Sequence, residues 1–152
     1  MRVAKWNYDR NNTNLDLDLE SVMLAEEAQE FKDGLALAFT ASTAKEASEA
    51  LVELIDAWAD YKFVMRGTIY KSLGSHEHFN FDMVQAQEQF MFTCLTKDMS
   101  IRGATLQTAY ALVIEANGNK GTEKVDGKIQ KGPLWRDPKE SILALLQEQR
   151  YV

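Results

Sequence analysis

Apolar residues recur at three- and four-residue intervals through most of this chain, the spacing that lines one face of an α-helix. Val22, Met23, Ala25, Ala28, Phe31, Leu35 and Phe39 predict a first helix from about Leu17 to Phe39, with Gly34 inside it or near its end. Thr43-Ala44-Lys45-Glu46 has the form of a capping box and opens a second, long helix to about Leu73. A third helix is expected from about Phe81 to Thr96 and a fourth from Ala104 to Ala116. Asp137-Pro138-Lys139-Glu140 starts a last one to about Gln149, with Asp137 as N-cap and Pro138 in the first helical position. Residues 1–15 are polar and Asn-rich and read as irregular, and Gly74-Ser75-His76-Glu77-His78 reads as a loop. Strand alternation, repeats and low-complexity tracts are missing. The pattern therefore predicts an all-α bundle of about five helices, one domain over residues 1–152, with any site lying between facing helices.

Acidic residues interrupt the apolar faces in two places. Glu49, Glu53, Asp56 and Asp60 fall in one narrow stripe of the second helix at roughly 100° per residue. Ala50, Ala57 and Val64 flank the stripe on one side, and Val52, Ala59 and Phe63 on the other. Like charges at this spacing repel by about 0.2–0.5 kcal/mol per pair. In apolar surroundings, unpaired carboxylates cost several kcal/mol more or take up protons. No Lys or Arg lies between Glu46 and Tyr61 to relieve them. A hard divalent cation would, and oxygen ligands suit Mg²⁺ or Mn²⁺. The first helix carries a matching cluster, Glu26-Glu27-Ala28-Gln29-Glu30. The same spacing also describes an ordinary solvated face, and Glu46 and Glu49 read as capping and surface residues.

Composition narrows the choices. The hydrophobic fraction is 45%, ordinary for a globular chain, and no apolar run approaches the roughly 20 residues of a membrane span. The N-terminus lacks the apolar block of a signal peptide, and the single Cys94, read as a core residue, fits a reducing cytoplasm. Net charge is −6, with twelve Asp/Glu against two Lys from Asp16 to Asp60. From Asn117 to Lys139 the balance reverses to six Lys/Arg against three acids. An acidic half facing a cationic segment suits a polyanion arriving as its metal complex, whereas a duplex-DNA binder would need a broad basic face. His76 and His78 bracket Glu77 as a solvated loop, and two histidines are too few for a ferritin-like di-iron bundle.

Taken in order, three motifs resemble a family. Glu26-Glu27-x-x-Glu30 is followed by Glu53-Leu54-Ile55-Asp56-Ala57-Trp58-Ala59-Asp60-Tyr61. Then come Asn117-Gly118-Asn119-Lys120 and Asp126-Gly127-Lys128-Ile129-Gln130-Lys131-Gly132, with Pro138 after them. This resembles the all-α nucleoside triphosphate pyrophosphatases, which include MazG-like enzymes, dimeric dUTPases and phosphoribosyl-ATP pyrophosphatase. The C-terminal motifs look most like phage and bacterial MazG-like members, in which they close over nucleotide phosphates. The resemblance covers about residues 17–67 and 104–140, and the stretch from about Tyr70 to Gly103 is longer than the usual connection.

The resemblance implies a nucleoside triphosphate pyrophosphohydrolase, turning a (d)NTP and water into a (d)NMP and pyrophosphate. It further implies two or three Mg²⁺ or Mn²⁺ ions on Glu27, Glu30, Asp56 and Asp60. The second motif admits two registers, Glu53/Asp56 or Asp56/Asp60, with Glu53 as a third ligand in the latter. Glu26 or Glu53 would orient the attacking water or take its proton. Asn117, Lys120, Lys128 and Lys131 would hold the substrate, with Arg136 a weaker candidate for the phosphates and Trp135 for the base. A phage-borne branch that cleaves dGTP or GTP suggests a purine substrate, and the family implies a homodimer or homotetramer in a bacterial or phage-infected cytoplasm. Two other readings stay open. One is a dUTPase or phosphoribosyl-ATP hydrolase of the same fold, and the other a non-enzymatic helical protein whose acidic stripe meets a basic partner.

Overall fold

The structure, a computed structural model, describes residues 2–75 and 79–152. It is all-α, with α1 Arg2–Asp9, α2 Leu17–Thr40, α3 Ala44–Ser72, α4 Phe81–Thr93, α5 Gly103–Gly118 and α6 Lys139–Glu148. A two-residue antiparallel pair, β1 Lys124–Val125 and β2 Lys128–Ile129, lies between α5 and α6. The expected loop at His76-Glu77-His78 lies outside the described residues.

α3 is the central helix and packs against all five of the others. Its length follows from its sequence. Thr43 Oγ1 accepts from the Glu46 N–H at 3.1 Å, so the capping box forms. The returning carboxylate bonds chiefly to the Ser42 N–H and hydroxyl. From there apolar residues surround the helix, and Leu54, Ile55, Ala57, Trp58 and Ala59 are all fully buried. A helix buried on every side belongs at the centre of a bundle. Trp58 donates from Nε1 to Glu88 on α4 at 2.9 Å, and the Tyr61 hydroxyl donates to the Val84 carbonyl at 3.2 Å. The aromatic run after the acids is therefore core.

Three expectations are corrected. Residues 1–15 are not all irregular, because α1 forms and docks on α3. Trp6 meets Phe63 edge-on at 5.1 Å, and buried Asn7 sits against Gly67, where an added Cβ would come within 3.2 Å of its amide nitrogen. So short and polar a helix owes its stability to this docking and not to its own propensity. The third helix ends as α-helix at Thr93 and runs on through one π-type turn, Cys94–Asp98, closed by Met99 N–H to Cys94 carbonyl at 3.1 Å. Pro138, not Asp137, stands in the cap position of α6, and Asp137 Oδ1 accepts from the Lys139 N–H at 3.0 Å. Cys94 is a buried core residue, as its composition suggested.

Candidate functional site

α2 and α3 run antiparallel, and three contacts set their register. Gly34 meets Leu54, Glu27 is electrostatically coupled to Asp60, and Glu20 bonds Thr68. Between them lies a cleft of about 800 Å³, within the usual range for small-molecule sites. Glu20, Met23, Glu26, Glu27 and Glu30 face it from α2, and Asp56, Asp60, Val64, Gly67 and Lys71 from α3. These positions recur at three- and four-residue steps, so each helix presents a single stripe. Trp6, Asn7 and Asn12 wall one side, while Asn117, Lys120, the β1–β2 hairpin, Trp135, Asp137 and Lys139 close the rest.

At one end the carboxylates crowd. Glu27 is pushed up to about 9, first by burial and then by Asp60 and Glu30. Burial and then Asp60 push Asp56 up to about 8. Asp60 reaches about 7, raised by burial and by Glu30 and Asp137 against the pull of Lys120 and Lys139. Glu27 Oε2 and Asp56 Oδ1 are buried and have no hydrogen-bond partner among the described residues. Buried oxygens of this kind normally find a donor, so two orphans in one acidic cluster leave room for an outside charge. The donor set is all oxygen, which fits a hard divalent cation. Among the described residues, no three acidic, His or Cys side chains converge as a ready metal cage, so convergence of these ligands would have to accompany binding.

Cations face this cluster from the opposite wall. Lys120 is half-buried, and burial lowers its pKa against the pull of Asp60, with Lys131 and Lys128 lowering it further. Lys128 pairs with Glu26 at 3.1 Å, and Lys131 stands over the Trp135 ring at 4.1 Å from its centroid. The segment carrying them is built, not loose. Asp126 and Gly127 both have positive φ, 50° and 81°, and turn the hairpin tightly. Gly121 donates to the Gln130 carbonyl at 3.1 Å, and Gln130 to that of Glu123 at 2.9 Å. Arg10 anchors its start, donating to the carbonyls of Gly118, Lys120 and Gly121 at 3.0–3.1 Å. Lys124 Nζ reaches the Asn11 carbonyl at 2.8 Å. α1 therefore acts as the clamp on the cationic segment.

The other end of the cleft has a different character. Glu20 is 1% exposed and Lys71 5%, and the two form a buried ion pair. The Thr68 hydroxyl lies within reach of Glu20 Oε2, at 2.5 Å, and of the Val64 carbonyl, at 2.9 Å, and shares its single proton between these two acceptors.

Of the sequence-predicted site residues, Glu26, Glu27, Glu30, Asp56, Asp60, Asn117, Lys120, Lys128, Lys131 and Trp135 come together on this cleft. Glu53 does not line it; its carboxylate pairs with Lys139 at 3.1 Å. Arg136 is turned to the carbonyls of Pro133 and Trp135 at 3.1 and 2.9 Å. Asn117 is buried, its amide donating to the Val113 carbonyl and its own carbonyl accepting from Trp6 Nε1 at 2.7 Å. It therefore holds the wall in place from within. Sequence reading missed Glu20, Lys71 and Lys139, and with them the part played by α1. Val3, Trp6, Asn7 and Arg10 do show helical spacing, the one signal that could have found that helix. No protein-family model matches the chain, and no curated protein or solved structure does.

Proposed function

We propose that the protein is a divalent-cation-dependent nucleoside triphosphate pyrophosphohydrolase, releasing pyrophosphate and a nucleoside monophosphate. The observation that carries the reading is the pairing across one cleft of orphaned carboxylate oxygens on Glu27 and Asp56 with the amines of Lys120, Lys128 and Lys131. A polyanion alone would be repelled by the acids, and a cation alone would not need the lysines. A triphosphate that comes with Mg²⁺ or Mn²⁺ satisfies both walls.

Glu27, Glu30, Asp56 and Asp60 would hold the cation, which when bound would acidify the attacking water and offset charge growing on the phosphate oxygens. The chain's own residues do the rest. Lys120 and Lys131 hold phosphate oxygens through charge-assisted hydrogen bonds, and Lys128 joins them by leaving Glu26. Glu26, released from that pair, is the free carboxylate at the mouth of the cleft and takes the proton of the water. Glu53 acts from outside, through Lys139, which burial disfavours but Glu53 and Asp56 hold above its ordinary pKa. Exposed Val22, Leu37 and Phe39 on α2 and Met83 and Phe90 on α4 are where a second copy would pack.

The test is a panel of ribo- and deoxynucleoside triphosphates, with phosphoribosyl-ATP included, assayed for pyrophosphate release with Mg²⁺ or Mn²⁺ and with a chelator. Release that requires the cation is the expected result. Orthophosphate in place of pyrophosphate, or no release from any nucleotide with either cation, overturns the reading.

A further inference from the structure

Lys71 is a buried charge on the cleft that the proposed cleavage chemistry does not use. It lies eleven residues beyond Asp60 on α3, roughly 16 Å along the helix axis, and both residues face the same cleft. Triphosphate, sugar and base in series fill such a distance. With the phosphates at the lysine-lined end, where Trp135 stands beneath Lys131, the base would reach the Lys71 end and not Trp135, contrary to the sequence expectation. Met23 and Val64 supply apolar walls there, and the Asn7 side chain packed against Gly67 closes the wall on the α1 side.

Lys71 is held for directional use. Glu20 accepts from its ammonium, while Thr68 occupies the second carboxylate oxygen, so neither partner is free to rotate. An ammonium carries three N–H donors and no acceptor. Glu20 accepts one of the three, and Lys71 is among the residues that line the cleft. A group facing those donors must offer oxygen or nitrogen lone pairs. An exocyclic amine at that position would set donor against donor and leave the remaining N–H groups of Lys71 unpaired.

We propose that Lys71, fixed by Glu20 and Thr68, reads the base and selects carbonyl-edged bases, 6-oxopurines or 4-oxopyrimidines, over adenine and cytosine. The proposal rests on the pyrophosphohydrolase reading for the direction in which the nucleotide lies. It adds a specificity residue to that reading, and the size of the base is decided by the walls, not by Lys71.

The experiment compares kcat/KM for dGTP, dITP, dUTP and dTTP with that for dATP and dCTP. The wild-type protein favours the carbonyl-edged group by about ten- to a hundredfold, since a site built to donate rejects what cannot accept. Lys71→Met alone would strand Glu20, so the informative variant is Glu20→Met/Lys71→Met, which removes both charges at similar volume. Thr68 keeps its bond to the Val64 carbonyl in that variant. Selectivity there falls to within about threefold while dATP is still cleaved. Lys71→Gln, which adds an acceptor beside Glu20, moves the preference toward dATP. Equal cleavage of all bases by the wild type, or undiminished selectivity in the folded double variant, overturns the base reading and leaves the pyrophosphohydrolase reading standing. Calorimetric binding of dGMP, dTMP, dAMP and dCMP separates the two failures. Selective monophosphate binding without turnover supports the base reading and removes the enzymatic one. Binding without distinction, or none, overturns the base reading.

Discussion

Replacing Asp56 with Asn tests the acidic cluster most directly. Asp56 is 6% exposed, and its carboxyl is raised from 3.8 to about 8, by burial first and by Asp60 second. Near neutral pH the unfolded chain carries this group ionised, whereas the folded chain holds a proton on it. The stability it contributes is therefore complete below the unfolded value of 3.8 and is lost as pH rises through about 8. At about pH 7 the gap from 3.8 is about 3.2 units, which at about 1.36 kcal/mol each sets an upper bound of roughly 4 kcal/mol. The repulsion is shared between Asp56 and Asp60, so about half of that, roughly 2 kcal/mol, is the expected gain on removing the titrating group. For a chain of this size that is about 4–8 °C in melting temperature. Calorimetry in chelator at about pH 7 should show Asp56→Asn melting higher by that amount, with the advantage shrinking below about 1 kcal/mol near pH 4.5. Mg²⁺ should raise the melting temperature of the wild type and not of the variant, through binding to the folded state alone. A variant that is no more stable in chelator, or a gain that persists at the acid pH, would refute the picture of crowded, unpaired carboxylates.

The remaining predictions concern the cationic wall. Lys131→Ala should lower kcat/KM about ten- to a hundredfold, the loss of one charge-assisted phosphate contact, with the nucleotide-free melting temperature nearly unchanged because its ring contact is exposed. Arg10→Ala removes three bonds to the carbonyls of residues 118, 120 and 121. Amide hydrogen exchange over residues 117–121 should quicken and KM rise, and unchanged exchange would remove α1 from its role as clamp. Gly127→Ala places a Cβ 2.7 Å from Leu19 Cδ2 at a φ of +81°, so urea denaturation should show a loss of about 1–2 kcal/mol. Exchange across residues 117–136 should slow when a non-hydrolysable triphosphate and Mg²⁺ are added together, and nucleotide without effect there would leave the lysines as mere surface.

The amino-acid sequence by itself determined the helices long enough to carry their own periodicity. α2 and α3 begin where Asp16 and the Thr43 box cap them, and the acids at Glu26, Glu27, Glu30, Asp56 and Asp60 stood out because their flanks are apolar. Such features are local, and a helical face can be read without knowing its neighbour. Which faces meet is a different matter. Glu53 and Asp56 share one stripe, yet Asp56 is buried in the cleft while Glu53 lies off it and pairs with Lys139 at the start of α6. α1 was unreadable for the related reason that a helix of eight residues, half of them polar, does not hold itself in water. Trp6 and Asn7 gain their order from tertiary partners far off in the chain, Phe63 and Gly67 on α3 and the Asn117 carbonyl on α5. Glu20 and Lys71 look like two unremarkable surface charges in sequence. Packing alone brings them together, because burying either without the other would leave a bare charge in an apolar interior.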